Sequence, residues 1–214
     1  MKRSTALAVN LAIIGAALLY SAVLYPSLPN PTPSHWDANG KINGYASPLF
    51  VCLLTPVMML LILGLFVALP KMSPEKFRVD SWERVYNLIM VLVMTLMGAI
   101  HVLTMTATHN SAMLAPKFLF SLIFLFFALM GNFIGKVRRN FWVGVRTPWT
   151  LANETVWNIV HRRAGQLWVA VGLLGVVLTL LGLPFWYSFT LLIVSAFIPV
   201  VHSYFVWKRI EGKP

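Results

Sequence analysis

Charge is scarce in this chain and acid scarcer still: 11% of its 214 residues are Asp, Glu, Lys or Arg, and only 6 are acidic. A soluble domain of this length carries roughly 25% charged residues. So few charges cannot cover the surface of a soluble globule, and lipid must be the solvent for much of it. The single cysteine, Cys52, lies in an apolar run, which excludes an intramolecular disulfide and leaves the redox compartment open. Also missing are HExxH and CxxC spacings, a nucleophile elbow, a phosphate loop and a dinucleotide fingerprint. Their absence leaves no motif-level sign of a metal, cofactor or covalent enzyme. No internal repeat stands out.

What the chain has in abundance is apolar length. Hydrophobic residues make up 58% of it, with a mean hydropathy of +0.76. Six runs, about Thr5–Leu24, Pro48–Leu69, Tyr86–Thr106, Phe118–Ile134, Leu167–Leu183 and Trp186–Trp207, each approach the ~20 residues that cross a bilayer. The first follows Lys2-Arg3 as a signal peptide would. It exceeds the ~7–15 residues of a secretory apolar core, however, so it reads as a retained helix. The expected fold is all-α: a polytopic membrane protein of six transmembrane helices.

The net charge of +11 invites a nucleic-acid partner, and its distribution argues against one. Of the 17 Lys and Arg residues, all but Lys41 and Lys117 fall in the N-terminus, the second loop, the fourth loop or the C-terminus. Alternate segments thus carry the cations, as the positive-inside rule requires, and both termini are expected in the cytoplasm of a bacterial cell. Anionic lipid headgroups are the default partner of this charge, with no direct nucleic-acid contact.

Two segments have more character than a connector needs. The outer loop, Tyr25–Ser47, holds Pro26, Pro29, Pro31 and Pro33, then His35-Trp36-Asp37, Gly40, Gly44 and Tyr45. Its prolines predict an extended Pro26–Pro33 stretch, and Asp37-Ala38-Asn39-Gly40 predicts a turn. The fourth loop, from Lys136 to Gly165, is basic and holds Trp142, Trp149 and Trp157, three of the 8 tryptophans. Thr147-Pro148-Trp149-Thr150 looks like a helix entry with Thr150 able to cap it. A helix over Leu151–Ala164 is expected to lie on the inner leaflet, with Glu154 near its positive end and Arg162 and Arg163 near its negative end.

The chemical candidates gather at two ends. The inner set is Arg146, Glu154 and His161, with Asn10, Asn87, Asn132 and His202 in the adjoining halves of their helices. Arg146 could pair with Glu154, and His161 could donate to Glu154 or to a ligand. Equally, Trp and Arg could simply anchor an interfacial helix, with the asparagines as interhelical hydrogen bonds. The outer set is His35, Trp36, Asp37, Tyr45, His101 and His109. It is either a ligand-facing cap or a Pro/aromatic loop seated among headgroups. His35-Trp36-Asp37 alone is a weak metal pattern, and neither a metal nor a cofactor is expected. His101 and His202 are the only ionisable side chains deep in the spans and point to opposite faces, so no buried relay supports a coupled transporter.

A longer string then carries a resemblance. Gly131-Asn132-Phe133, Lys136, Asn140 through Leu151, Glu154, Val156-Trp157, His161-Arg162 and Gly165 resemble the signature of the SdpI-type immunity proteins. These are bacterial membrane proteins named for resistance to a secreted sporulation-delaying peptide toxin. Leu28-Pro29, Pro33 through Trp36 and Gly40 through Tyr45 resemble a domain of unknown function, DUF1648, which precedes the signature in longer members. The resemblance implies an N-terminal region of residues 1–110 and an SdpI-like region of residues 111–214. It implies immunity to an extracellular antimicrobial peptide, with His35, Trp36, Gly40, Gly44 and Tyr45 facing the ligand. The inner motif would be Asn132, Gly144, Arg146, Thr147, Pro148, Trp149, Thr150, Glu154, Trp157, His161, Arg162 and Gly165. In the best-known system a cytoplasmic transcriptional repressor is held at the membrane, which makes such a repressor a possible partner. The competing readings are an enzyme using Glu154 and His161 as acid and base, and a small transporter or lipid-binding scaffold.

The charge pattern makes a direct prediction. A cysteine placed at Lys71 or Arg138 should resist membrane-impermeant thiol reagents in intact cells, while one at Lys41 should react. Labelling in the opposite sense would reverse the topology.

Overall fold

A computed structural model describes residues 1–37, 40–109 and 116–212. The middle of the Asp37–Gly40 turn, Asn110 with the rest of the third loop, and Lys213 lie outside the described residues, as do the side chains of Lys76, His109 and Lys117. Seven helices and one hairpin follow in order among the described residues: α1 (Arg3–Leu24), β1 (Thr32–Trp36), β2 (Ile42–Ala46), α2 (Pro48–Ala68), α3 (Glu83–His109), α4 (Pro116–Ile134), α5 (Pro148–Ala152), α6 (Glu154–Leu180) and α7 (Phe185–Glu211). Helices α1, α2, α3, α6 and α7 are each long and apolar enough to cross a membrane, and the shorter apolar helix Phe118–Ile134 is the sixth. Leu61, Leu65, Leu173, Phe197 and Phe205 are all more than half exposed, as side chains facing lipid are. The protein is an all-α, multi-pass membrane protein.

The end of the bundle that carries both termini is a single contiguous surface. Asn87 Nδ2 donates to the Met1 carbonyl at 3.2 Å, the Trp142 indole donates to Ser73 Oγ, and Asn153 Nδ2 donates to Glu211 at 2.6 Å. The N-terminus therefore meets the start of α3, the second loop meets the fourth, and the fourth meets the C-terminus. The hairpin closes the opposite end against α2 and α3.

Two helix groups form the interior. In the first, Ala6, Ile14 and Ala17 of α1 pack on Met59 and Leu63 of α2 and on Met90 and Met94 of α3. The polar staple of this group is His101. Its Nε2–H lies 3.2 Å from the Ala17 carbonyl and 2.9 Å from Ser21 Oγ, and Ser21 donates on to the Cys52 carbonyl at 3.1 Å. In lipid such bonds hold helices that no hydrophobic drive separates from the acyl chains. Of the asparagines expected to bridge helices, Asn87 alone reaches across the fold. Asn132 bonds to Ala128 of its own helix, and Asn10 is fully buried with no partner for its amide.

The second group is built on backbone proximity. Helices α4 and α6 are so close that a Cβ on Gly165 would lie 2.6 Å from the Gly131 carbonyl. One on Gly172 would lie 2.5 Å from the Ala128 amide nitrogen, and one on Gly175 would enter the Phe124 ring at 2.2 Å. Small residues earn their place here because dispersion between two backbones replaces the hydrophobic effect in lipid. Helix α7 then packs along α6, and α3 along α4.

Two local expectations need correction. The Pro26–Pro33 stretch is not extended throughout: Tyr25–Ser27 form a 3-10 turn, and Thr32–Trp36 pair antiparallel with Ile42–Ala46. The prolines obscured the strand, although a two-stranded ribbon has only edges and an edge tolerates Pro33. The Leu151–Ala164 helix is not a separate element either. The chain is helical over Pro148–Ala152, extended at Asn153 (φ −127°, ψ 123°), and helical again without interruption from Glu154 through Leu180. Gly165 lies inside this continuous helix, where its small size allows the close packing on α4. Thr147 is the N-cap of α5, and Thr150 closes the capping box from inside the helix.

Adding a methyl should separate the two uses of glycine. Gly172→Ala forces Cβ onto α4 and should destabilise the protein by about 1–3 kcal/mol. Gly64→Ala meets nothing within 4 Å and should be neutral or gain up to ~1 kcal/mol of helix propensity. Melting in detergent distinguishes them.

Candidate functional site

The fourth loop wraps the first turns of α6, and its fold is dictated by a few polar side chains that substitute for secondary structure. After α4 ends, Asn140 is fully buried and acts as a local template. Its Oδ1 accepts from the amides of Trp142 and Val143, both at 2.7 Å, and its Nδ2 donates to the carbonyls of Arg138 and Val143. A short amide side chain can mimic a turn in this way. Gly144 follows at φ +120°, a conformation open to glycine; a Cβ here would also sit 2.2 Å from His161 Nε2.

Next comes the crossing point. The Val145 amide donates to His161 Nε2 at 2.9 Å. That nitrogen is therefore unprotonated, and the ring carries its proton on Nδ1, which donates to the Trp157 carbonyl at 2.8 Å. The imidazole is fully buried and stacks on the Trp157 indole with centroids 3.9 Å apart at 17°. Trp157 in turn donates from Nε1 to the Val137 carbonyl at 2.7 Å. Two aromatic rings on one helix face thus hold both ends of the loop, Val137 and Val145.

Beyond the crossing, Thr150 Oγ1 donates to the Val145 carbonyl at 2.7 Å, and Thr147 Oγ1 lies 3.0 Å from Ser203 Oγ of α7. Pro148 stands in the first turn of α5, and Trp149 packs edge-on against Tyr204 at 5.3 Å and near Trp207. Arg139 donates to the carbonyls of Leu151 and Ala152 at the end of α5. Asn153 caps α6 by accepting from the amides of Thr155 and Val156. The result is a rigid platform in which every turn has a named hydrogen-bond partner.

The structure separates the expected site residues into two kinds. Thr147, Thr150, Trp157, His161, Gly144 and Gly165 are scaffold: buried, hydrogen-bonded or at close backbone contacts. Arg146, Glu154, Arg162 and Asn132 are exposed. Arg146 donates to the Phe141 carbonyl rather than to Glu154, and no hydrogen bond or ion pair joins Glu154 to His161 among the described residues. Asn140, Ser203 and Arg139 complete the platform. Of these, only Asn140, placed before an aromatic run and a glycine, had a turn-forming signal in sequence.

At the opposite end the hairpin aligns His35 with Gly44 and Trp36 with Ile42, with irregular register around His35. His35, Asn43 and Tyr45 are exposed on it, and His35 Nδ1 lies within hydrogen-bond reach of Asn43 Oδ1. Gly44 is where the strands pinch: a Cβ would lie 2.9 Å from that of His35. Thr32 and Pro33 are buried beneath. Gly40, at φ +80°, donates to the Asp37 carbonyl at 2.9 Å. Among the described residues, no three His, Cys, Asp or Glu side chains cluster as a metal site would require.

Residues 136–203, from the end of α4 into α7, match the SdpI/YfhL protein family, and residues 12–60, which include the hairpin, match a domain of unknown function, DUF1648. The chain is 24% identical over 206 residues to the Immunity protein SdpI of Bacillus subtilis (strain 168), covering 95% of this chain and 97% of that protein. No solved structure matches.

Replacing the central imidazole tests the platform. His161→Leu leaves the Val145 amide buried without an acceptor and should cost about 1–3 kcal/mol, read as faster limited proteolysis of the 137–153 segment. His161→Gln, which keeps an acceptor, should lose less.

Proposed function

We propose that this SdpI-type membrane protein is a non-enzymatic immunity protein, giving a bacterial cell resistance to an extracellular antimicrobial peptide. The reading is supported above all by a likeness to an immunity protein that runs through nearly the whole of both chains. In this reading the protein sits in the cytoplasmic membrane with both termini inside. The hairpin, bearing exposed His35, Asn43 and Tyr45, faces the peptide, with Trp36, Gly40 and Gly44 setting its shape. The platform faces the cytoplasm and presents Arg138, Arg146, Arg162 and Arg163 at its exposed surface. Such a rigid cationic face suits an output role, including retention of a transcriptional repressor.

Chemistry at Glu154 and His161 has little geometric support. Both imidazole nitrogens are committed to backbone partners, and the ring is sealed from solvent, so no nitrogen is left to take a substrate proton. Coupled transport lacks a charged path. A groove of about 670 Å³ between α1, α3, α4 and α6 is lined by apolar side chains with Thr95, Thr106 and Ser121, and among the described residues no ionisable group borders it.

Cells expressing the chain should survive an amphipathic peptide toxin that kills isogenic cells lacking it. Equal killing across a panel of such peptides would sink the proposal. Within the protective protein, Tyr45→Ala should weaken protection on the order of tenfold, the size of losing an aromatic contact at an interface, at unchanged membrane abundance.

A further inference from the structure

We propose that the groove where α4 ends against α6 binds the headgroup of an anionic glycerophospholipid. This does not rest on the immunity reading and holds whatever the hairpin meets. The groove has a volume of about 550 Å³, within the range of small-ligand sites. Its polar border is formed by Asn132, Lys136, Arg162 and Gln166, and its floor by Gly131, Gly135, Gly165, Val169 and Ala170.

The geometry follows from the close helix crossing. Gly135, just past the end of α4, stands directly over Arg162, with a Cβ only 3.4 Å from the Arg162 Cα, so no side chain at that position covers Arg162. Arg162 and Gln166, one turn apart, line the groove together and are exposed. Lys136 approaches from the turn that ends α4. That turn also silences the helix terminus, because the amides of Lys136 and Val137 satisfy the carbonyls of Phe133 and Ile134. The negative end of the α4 dipole is thereby softened where an anion would sit.

Charge decides the class of ligand. The chain has 6 acidic residues, and none lines the groove. Glu154 lies in the first turn of α6, Glu211 is bound by Asn153 and Trp207, and Asp80 is paired with Arg78. Two cations and two amides without a carboxylate form a phosphate-binding chemistry, in which the guanidinium offers paired donors. The depth decides the source. Below Arg162 the groove continues over Val169 and Ala170 into the apolar part of α6, which suits an acyl chain and not a free anion. Basic pockets between membrane helices on the cytoplasmic side bind acidic headgroups by this combination.

Native mass spectrometry of the full chain in a nonionic detergent tests the site, with phosphatidylglycerol, phosphatidylcholine and inorganic phosphate as probes. Phosphatidylglycerol should be retained in preference to phosphatidylcholine, with phosphate unable to displace it. Lys136→Gln/Arg162→Gln should weaken that retention by on the order of tenfold or more. Gln166→Glu, which keeps both cations and adds a repelling charge at an exposed position, should do the same. The charge-matched Lys2→Gln/Lys71→Gln should leave retention intact. Equal retention of the two lipids, displacement by phosphate, or equal loss in the charge-matched variant would each overturn the proposal.

Discussion

The approach of two backbones, α4 to α6, is the constraint on which the rest of this structure depends. At Gly131, Gly165 and Gly172 the missing side chains let one backbone close onto the other, and at Gly175 the gap is filled by the Phe124 ring. In lipid there is no hydrophobic gain from joining two apolar helices, so the contact must be made by packing at short range. Once α4 ends against Arg162, the following segment has nowhere to go but around the exposed start of α6. That places the fourth loop on the Trp157–His161 face and leaves a gap over Arg162, so platform and groove both follow from the crossing.

Within the platform, Trp157 and His161 do the work that a sheet or helix would do elsewhere. A buried irregular segment must find partners for its backbone amides and carbonyls. Here the indole takes the Val137 carbonyl, the imidazole takes the Val145 amide, and Asn140 satisfies the turn between them. The glycine at 144 is required twice over, by its φ and by the imidazole against it. Residues that resemble a catalytic constellation when written in a line are, in space, the frame that holds the loop backbone.

The two ends of the bundle differ in kind. The hairpin is short and pinched at Gly44, and it offers aromatic and amide groups with little charge. The opposite end offers arginines on a rigid base. Between them lie apolar helices stapled by His101, Ser21 and the Ser121–Thr179 pair at 2.8 Å. Any coupling between the ends must pass through helix packing, since no chain of ionisable groups connects them among the described residues.

Much of this was legible in the sequence, and the reason lies in the solvent. Spans of about twenty apolar residues and cations on alternate loops are local properties, because a bilayer imposes length and charge rules on each segment separately. The signature from Gly131 to Gly165 was likewise legible as a pattern. The role of each residue in it was not. His161 and Glu154 sit at helical spacing that suggests partnership, yet His161 turns to Val145, sixteen residues back. The hairpin was hidden by its prolines, and the run from Glu154 through Leu180 was expected as two segments, Leu151–Ala164 and Leu167–Leu183, and is one helix. Sequence by itself determined that this chain crosses a membrane and where its charge lies. Only the tertiary structure decided which polar groups are scaffold and which are surface, because that depends on the distance between α4 and α6 and not on either helix alone.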